Sequence, residues 1–328
     1  MEFKSGVKRG KGKYDWIAGS NSPIDRTVLL PDLKWKPYLS KQEIQFETEF
    51  SYDTLFCATY SALKSIASMF NYYIRHNLMP AEDLAFLQDY MVNGEINFNE
   101  RFTGTLGDTD QHGAYQYKIA NAIKNFGLIP QDMFPMADNF YDNIDKKFIT
   151  DEMFAKGRAF MERFYINYEW ITDVRDALKY SPVQMIVKFM NYSSPNDILK
   201  PVGTFNHAVA GIYSVKEYNE IADTYWQEFK RYDPDYTASF MSFSLTFLLN
   251  NNINMDCIKF LKENDLKFVQ NSNSGQFGRI MQGKLMVVQS NDRGTLMLLD
   301  DKMRTEPSIK ITQAEWQQLE TEGFINNF

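Results

Sequence analysis

The chain has 328 residues, 44% of them hydrophobic and 15% aromatic, enough to fill one large core or two ordinary ones. A formal net charge of −7 excludes the strongly basic balance of a nucleic-acid binder, and the longest apolar run, 240–249, is broken by Ser and Thr and far short of the roughly 20 residues that cross a bilayer. Only two cysteines, Cys57 and Cys257, occur, which excludes a disulfide framework, and the opening Met-Glu-Phe-Lys-Ser-Gly-Val-Lys-Arg-Gly has no apolar signal core, so the expectation is a protein that folds in a reducing cytoplasm.

Residues 1–30, rich in Gly, Ser and Lys, read as an irregular basic arm, a solvated tail and not a nucleic-acid element. Trp35, Pro37 and Tyr38 then suggest docking on a core. Between Thr54 and His76 the spacing of Leu55, Ala58, Ala62, Ile66, Phe70 and Tyr73 predicts a helix, with Asp53 as its N-cap. Its apolar residues lie on more than one face, which makes it central and buried. Pro80 opens a second helix, 95–112 is expected to be a long loop, and Tyr115–Phe126 a third helix ended by Gly127.

The period then changes. After a short helix at 171–180, the segments 182–189, 208–215, 225–232 and 243–249 read as strands. Helices first and strands later means an α+β fold, not alternating βαβ units. The C-terminal part contains an expected strand pair, 278–289 and 294–300, and a closing helix opened by Thr312 and Glu315. The expected organisation is therefore an arm (1–30), a main domain (31–236) and an accessory α+β segment (237–328).

Two residues carry the chemistry. Cys57 stands at the start of the central helix, and His207 lies in the β-like run Gly203-Thr-Phe-Asn-His207-Ala-Val-Ala-Gly-Ile212, about 150 residues later. Helix N–H groups converging on a thiol favour the thiolate, and a nearby imidazolium favours it further. A cysteine alone on an apolar helix is ordinarily core material; the histidine strand is what gives this one a second reading. His76 reads as a solvated helix end and Cys257 as structural. No Walker, dinucleotide or metal-ligand spacing stands out, so neither cofactor nor metal is expected.

With these segments in place, the chain over residues 31–236 resembles the papain-like cysteine peptidases. Leu30-Pro-Asp-Leu-Lys-Trp35 is similar to the start of the family's mature domain, and Cys57-Ala-Thr-Tyr-Ser-Ala62 to its Cys-Trp-Ala-Phe-Ser helix. Leu78-Met-Pro-Ala-Glu-Asp-Leu84 looks like its Leu-Ser-x-Gln-x-Leu helix, and Asp110-Gln-His-Gly113 like its substrate loop of paired glycines. Phe126-Gly-Leu-Ile-Pro-Gln-Asp-Met-Phe-Pro135, Ser181-Pro-Val-Gln-Met-Ile-Val187, the His207 strand and Tyr225-Trp226 follow in the family's order. The phrase Phe50-Ser-Tyr-Asp-Thr-Leu-Phe-Cys57-Ala-Thr-Tyr-Ser-Ala-Leu63, without cystines, is closest in flavour to papain-like proteins encoded by tailed bacteriophages.

The resemblance implies a two-lobed fold and acyl transfer, with Cys57 as nucleophile and His207 as base. Two positions depart from the family. Ser51 stands where its oxyanion glutamine lies six residues before the nucleophile, leaving Gln45 as the nearest upstream amide; the oxyanion is expected between the Cys57 N–H and Gln45 or Ser51. Lys230 stands where the family has its asparagine. Lys230 is expected to point away from the site, with Asp233 as the acceptor that orients His207, and His112 and Gly113 are expected to bind substrate. The implied partner is a protein or peptide substrate, or a peptidoglycan cross-link, in the host cytoplasm or a virion. The accessory segment would select virion or phage proteins; no nucleic acid or membrane is implied. The competing class is an inactive papain-fold structural protein of a virion.

Overall fold

The computed structural model describes residues 27–40, 52–188, 197–200, 204–224 and 229–247, with strand segments at 7–8, 268–271, 277–281, 284–287, 309–311 and 325–327 and a helical turn at 316–319. The chain divides into two compact units, Met1–Thr246 and Phe247–Phe328.

In the first unit a short strand β1 (Val7–Lys8) precedes the helical part: α1 (Cys57–Arg75), α2 (Ala81–Phe86), the hairpin β2 (Met91–Val92) and β3 (Glu95–Ile96), α3 (Glu100–Leu106), β4 (Ala114–Tyr115), α4 (Gln116–Phe126), α5 (Phe140–Asn143) and α6 (Asp151–Met161). The sheet part follows: β5 (Phe164–Trp170), a short α7 (Val174–Ala177), β6 (Val183–Lys188), β7 (Ile198–Leu199), β8 (Phe205–Ser214), β9 (Asn219–Ala222), β10 (Phe229–Tyr232) and β11 (Thr237–Phe247). Seven strands form one sheet in the order β5-β11-β6-β8-β9-β10-β7. This is an α+β arrangement, helices first and sheet second. Among the described residues no helix is long and apolar enough to cross a membrane.

The central helix is α1, buried without interruption from Cys57 to Tyr72. Its hydroxyls tolerate that burial by turning back on their own helix: Ser61, Ser65 and Ser68 donate to the carbonyls of Cys57, Ser61 and Lys64. Phe70 stacks edge-on with Phe98 and Phe164, and burying such a side chain contributes roughly 1.5–3 kcal/mol. The helix packs on β8, β6, α3 and α4, which places its first turn against the sheet.

Several expectations change. The region 95–112 is a loop only in its last part: Asn99 caps α3 by accepting the Phe102 N–H at 2.8 Å, and the following Thr and Phe side chains are buried. Polar composition concealed a capped helix. Asp53 does not cap α1; Phe56 holds that position, while Asp53 accepts the Leu55 N–H at 2.9 Å in a turn that puts Leu55 at φ 57. Strand β5, buried along its whole length, was not anticipated. The arm is not wholly irregular, since β1 pairs in parallel with β4.

The expected boundary after Tyr236 also moves. Strand β11 is hydrogen-bonded to β6 and belongs to the first unit's sheet. The second unit holds its own five-stranded sheet of β12 (Phe268–Asn271), β13 (Phe277–Met281), β14 (Lys284–Val287), β15 (Ile309–Ile311) and β16 (Ile325–Asn327), ordered β15-β12-β13-β14-β16. Instead of one strand across 278–289, β13 and β14 form an antiparallel pair over 277–287. The expected strand 294–300, the Thr312/Glu315 cap and Cys257 lie outside the described residues.

Candidate active site

Cys57 is the first residue of α1, where backbone N–H groups have no intrahelical acceptor. Its position is fixed from three sides. Phe56, fully buried, lies over Gly104 of α3, where a Cβ would come within 3.0 Å of the ring. Gln184 of β6 donates to Ala58 O at 2.6 Å and Ser61 Oγ at 2.9 Å, tying the first turn of α1 to the sheet. On β8, the backbone N–H of Ala208 meets the Cys57 sulfur. Sequence reading passed over Gln184; a glutamine in an otherwise apolar central strand, Val183-Gln-Met-Ile-Val187, was the available signal.

His207 is 2% exposed, and its Nε2 lies 2.8 Å from Asp223 Oδ1. A carboxylate only accepts, so Nε2 carries the proton. The register explains the contact. Ala210 of β8 pairs with Ala222 of β9, so Asp223, the next residue, falls opposite Val209, and residues 207 and 209 leave the strand on one face.

Asp233 does not occupy this place. Its Oδ1 accepts the Asp235 N–H at 3.0 Å, capping the turn Pro234–Tyr236, and its Oδ2 pairs with Lys200 at 3.1 Å. Nor does Lys230 point away: its Nζ reaches Asp223 Oδ2 at 2.7 Å. Lys230 pairs with Ile221, two residues from Asp223, so ammonium and carboxylate share a face. The acid bonded to His207 comes from the end of β9, one strand before the place the family pattern indicated. Its signal in the sequence is an acid in apolar company, Ile221-Ala-Asp223-Thr-Tyr-Trp226.

The electrostatics follow from burial. Cys57 is fully buried, and desolvation pushes its thiol up to about 12 against the weaker help of the Ala208 and Ala58 N–H groups; the charges of Asp53 and Asp223 add to the rise. The expected resting thiolate is therefore not favoured here, because a dry site penalises the charge more than two peptide dipoles favour it. Burial pushes Asp223 up as well, but His207 and Lys230 together outweigh it and hold the carboxyl well below the usual range.

The loop Asp110–Gly113 closes on itself, with Gly113 at φ 84 and the His112 N–H bonded to Asp110 Oδ1 at 2.8 Å. His112 is exposed. Strand β4 follows directly, touches α1, and carries β1 as an added parallel strand that also packs against β8. His76 is exposed but engaged, bonded to the Tyr38 hydroxyl at 2.8 Å and stacked on Tyr72. Gln45 and Ser51 lie outside the described residues. No group of residues suited to a metal ion occurs among the described residues.

No family model matches the sequence, and no curated protein matches it. Among solved structures, the chain is similar to the Carica candamarcensis cysteine protease CMS1MS2 in complex with E-64, at 13% identity and a TM-score of 0.39, over 64% of this chain and 96% of that one.

Proposed function

We propose that the protein is a papain-like thiol hydrolase in which Cys57 is the nucleophile, His207 the base and Asp223 the residue that orients it. One observation carries this reading: the His207–Asp223 hydrogen bond of 2.8 Å lies on the strand whose next peptide N–H, that of Ala208, meets the Cys57 sulfur. The helical part and the sheet would be its two lobes, with α1 between them.

Attack requires the thiol proton to pass to His207 Nδ1 as the sulfur–carbon bond forms. The carbonyl oxygen would be received by the Cys57 N–H at the start of α1. The same proton then goes to the leaving amine as the carbon–nitrogen bond breaks, leaving a thioester. Water, giving a proton to His207, attacks the thioester carbonyl and restores the thiol. A peptide substrate is favoured by β4, whose edge already accepts an extended segment, β1, beside the His207 strand. The second unit supplies none of the three residues and is proposed to select a partner. The narrower reading, a phage-encoded enzyme of the host cytoplasm or virion, rests on the sequence phrase around Cys57.

A specific observation favours a second reading, an inert structural protein on the same fold: Cys57 is fully buried and its thiol is held neutral. Labelling with a thiol-directed peptidyl electrophile decides between them. A peptidase is labelled at Cys57, as mapped by mass spectrometry, and the label is lost in His207→Ala. A folded protein in which Cys57 stays unmodified is the scaffold.

A further inference from the structure

The first turn of α1 carries a hydrogen-bond pattern that runs from the sheet to the nucleophile. Gln184 of β6 is fully buried, with its amide nitrogen 2.6 Å from Ala58 O and 2.9 Å from Ser61 Oγ. A carbonyl oxygen only accepts, so the group facing Ala58 is the –NH2 and the amide has one orientation. Ser61 has a single proton to give, and its nearest acceptor is Cys57 O at 2.7 Å, with Ala58 O farther away at 3.2 Å. The hydroxyl therefore receives from Gln184 and gives to Cys57. Among the described residues Gln184 Oε1 has no partner, so the amide acts on its surroundings through its two donors.

Each donor starts a chain through planar peptide groups. The first runs from Gln184 through Ser61 to the carbonyl of the Cys57–Ala58 peptide, whose N–H, on Ala58, meets the Cys57 sulfur. The second runs from Gln184 to the carbonyl of the Ala58–Thr59 peptide, whose N–H donates to Phe56 O at 2.8 Å; the N–H of that last peptide belongs to Cys57. Drawing electron density towards a peptide oxygen makes the N–H of the same resonance system a stronger donor, and successive bonds in a low-dielectric interior reinforce one another by about 10–30% each. One side chain thus heads both the bond to the sulfur and the N–H at which an oxyanion would form.

Resting on the catalytic reading above, we propose that Gln184 is a positioning residue that, through Ser61, strengthens the donor facing the Cys57 sulfur and, through Ala58, strengthens the Cys57 N–H that receives the carbonyl oxygen. This role needs two amide protons, which neither an apolar side chain nor a carboxylate supplies.

Two probes separate the branches. Iodoacetamide alkylates the sulfur without forming an oxyanion; a peptide aldehyde takes the thiol across its carbonyl and places an oxygen at the Cys57 N–H. The donors are weakened and not lost, so the effects stay below the roughly hundredfold cost of a deleted oxyanion donor. Ser61→Ala should slow alkylation of Cys57 about three- to tenfold and leave aldehyde affinity within about threefold. Gln184→Met should slow alkylation equally and also weaken the aldehyde about three- to tenfold. Since Gln184 acts on the sulfur in series with Ser61, adding Gln184→Met to Ser61→Ala should cause no further loss of alkylation, whereas independent packing defects would multiply.

A direct readout needs no reaction. Cys57–Ala58 is the one Cys–Ala dipeptide in the chain, since Cys257 precedes Ile258, so labelling cysteine at its carbonyl carbon and alanine at its nitrogen gives a single coupled amide NMR signal. Both variants should move its proton to higher field. A folded Gln184→Met protein in which that signal stays in place, or alkylation losses that multiply, overturns the inference. If Gln184→Met does not fold, Ser61→Ala carries the signal test, and an unmoved signal there overturns it equally. A signal that moves in a folded protein whose wild type reacts with neither probe would sink the catalytic reading and leave the hydrogen-bond relay in place.

Discussion

Burial of the Cys57 thiol has a thermodynamic consequence that does not depend on any substrate. In the unfolded chain a thiol loses its proton near pH 8.5, whereas in the folded protein Cys57 keeps it until about pH 12. A group whose folded pKa is raised contributes its full stabilisation below the unfolded value and loses it as pH rises toward the folded one. Between about pH 8 and about pH 10 the unfolded state therefore gains an ionisation that the folded state lacks, which costs the fold about 2 kcal/mol. Tyr52 and Tyr90, also raised by burial, act in the same direction, so the wild-type protein alone does not isolate the term. The difference between wild type and Cys57→Ala does, because the tyrosines and Cys257 are common to both. Urea unfolding at the two pH values should show wild type losing roughly 2 kcal/mol more than Cys57→Ala, whatever constant offset the lost sulfur produces. Equal losses would mean that Cys57 ionises in the folded protein as it does in the unfolded chain, and the account of a dry, neutral site would be wrong.

Asp223→Asn should lower peptidyl labelling or turnover roughly 10²–10⁴-fold, since the imidazole loses its tautomer and orientation, while Asp233→Ala, which touches only Lys200 and its own turn, should leave the rate within about threefold of wild type. Gln184→Ala leaves Ala58 O and Ser61 Oγ buried without their donor and should cost about 1–3 kcal/mol in denaturant unfolding, with Cys57 displaced from the Ala208 N–H. Gly127→Ala should be severely destabilising, because φ is +72 and the new Cβ would lie 2.0 Å from Gly157 O; a melting temperature unchanged from wild type would contradict the close α4–α6 approach.

The sequence was readable where chemistry lies along one element. Cys57 at a helix start and His207 in an apolar strand are one-dimensional patterns, as are the buried face of α1 and the Gly127 stop. Asp223 was not readable in that way, because its contact with His207 is a diagonal across two strands and exists only once the β8–β9 register is fixed. The same holds for Lys230, whose direction is set by its pairing with Ile221. Elsewhere local composition misled for a physical reason: Asn99 and the threonines of α3 look like loop residues, yet one caps the helix and the others are buried in it. Strand β5 was missed although Phe164, Ile166, Tyr168 and Trp170 alternate with Tyr165, Asn167 and Glu169; its polar alternate positions, which read as exposed, are buried with the rest.

The two halves of the site place opposite demands on the sheet. Raising a thiol from its ordinary value to about 12 costs its ionised form about 4–5 kcal/mol, so a preformed thiolate is a minor species and, on the proposed catalytic reading, the proton leaves as bond formation begins. That requires a base already positioned and uncharged, and an acid already ionised to hold it. Asp223 meets the second condition, since His207 and Lys230 hold its carboxyl well below the usual range despite its burial. On the proposed reading an acid, Asp223, stands where the resemblance implied an amide, and Lys230 shares its carboxylate with His207.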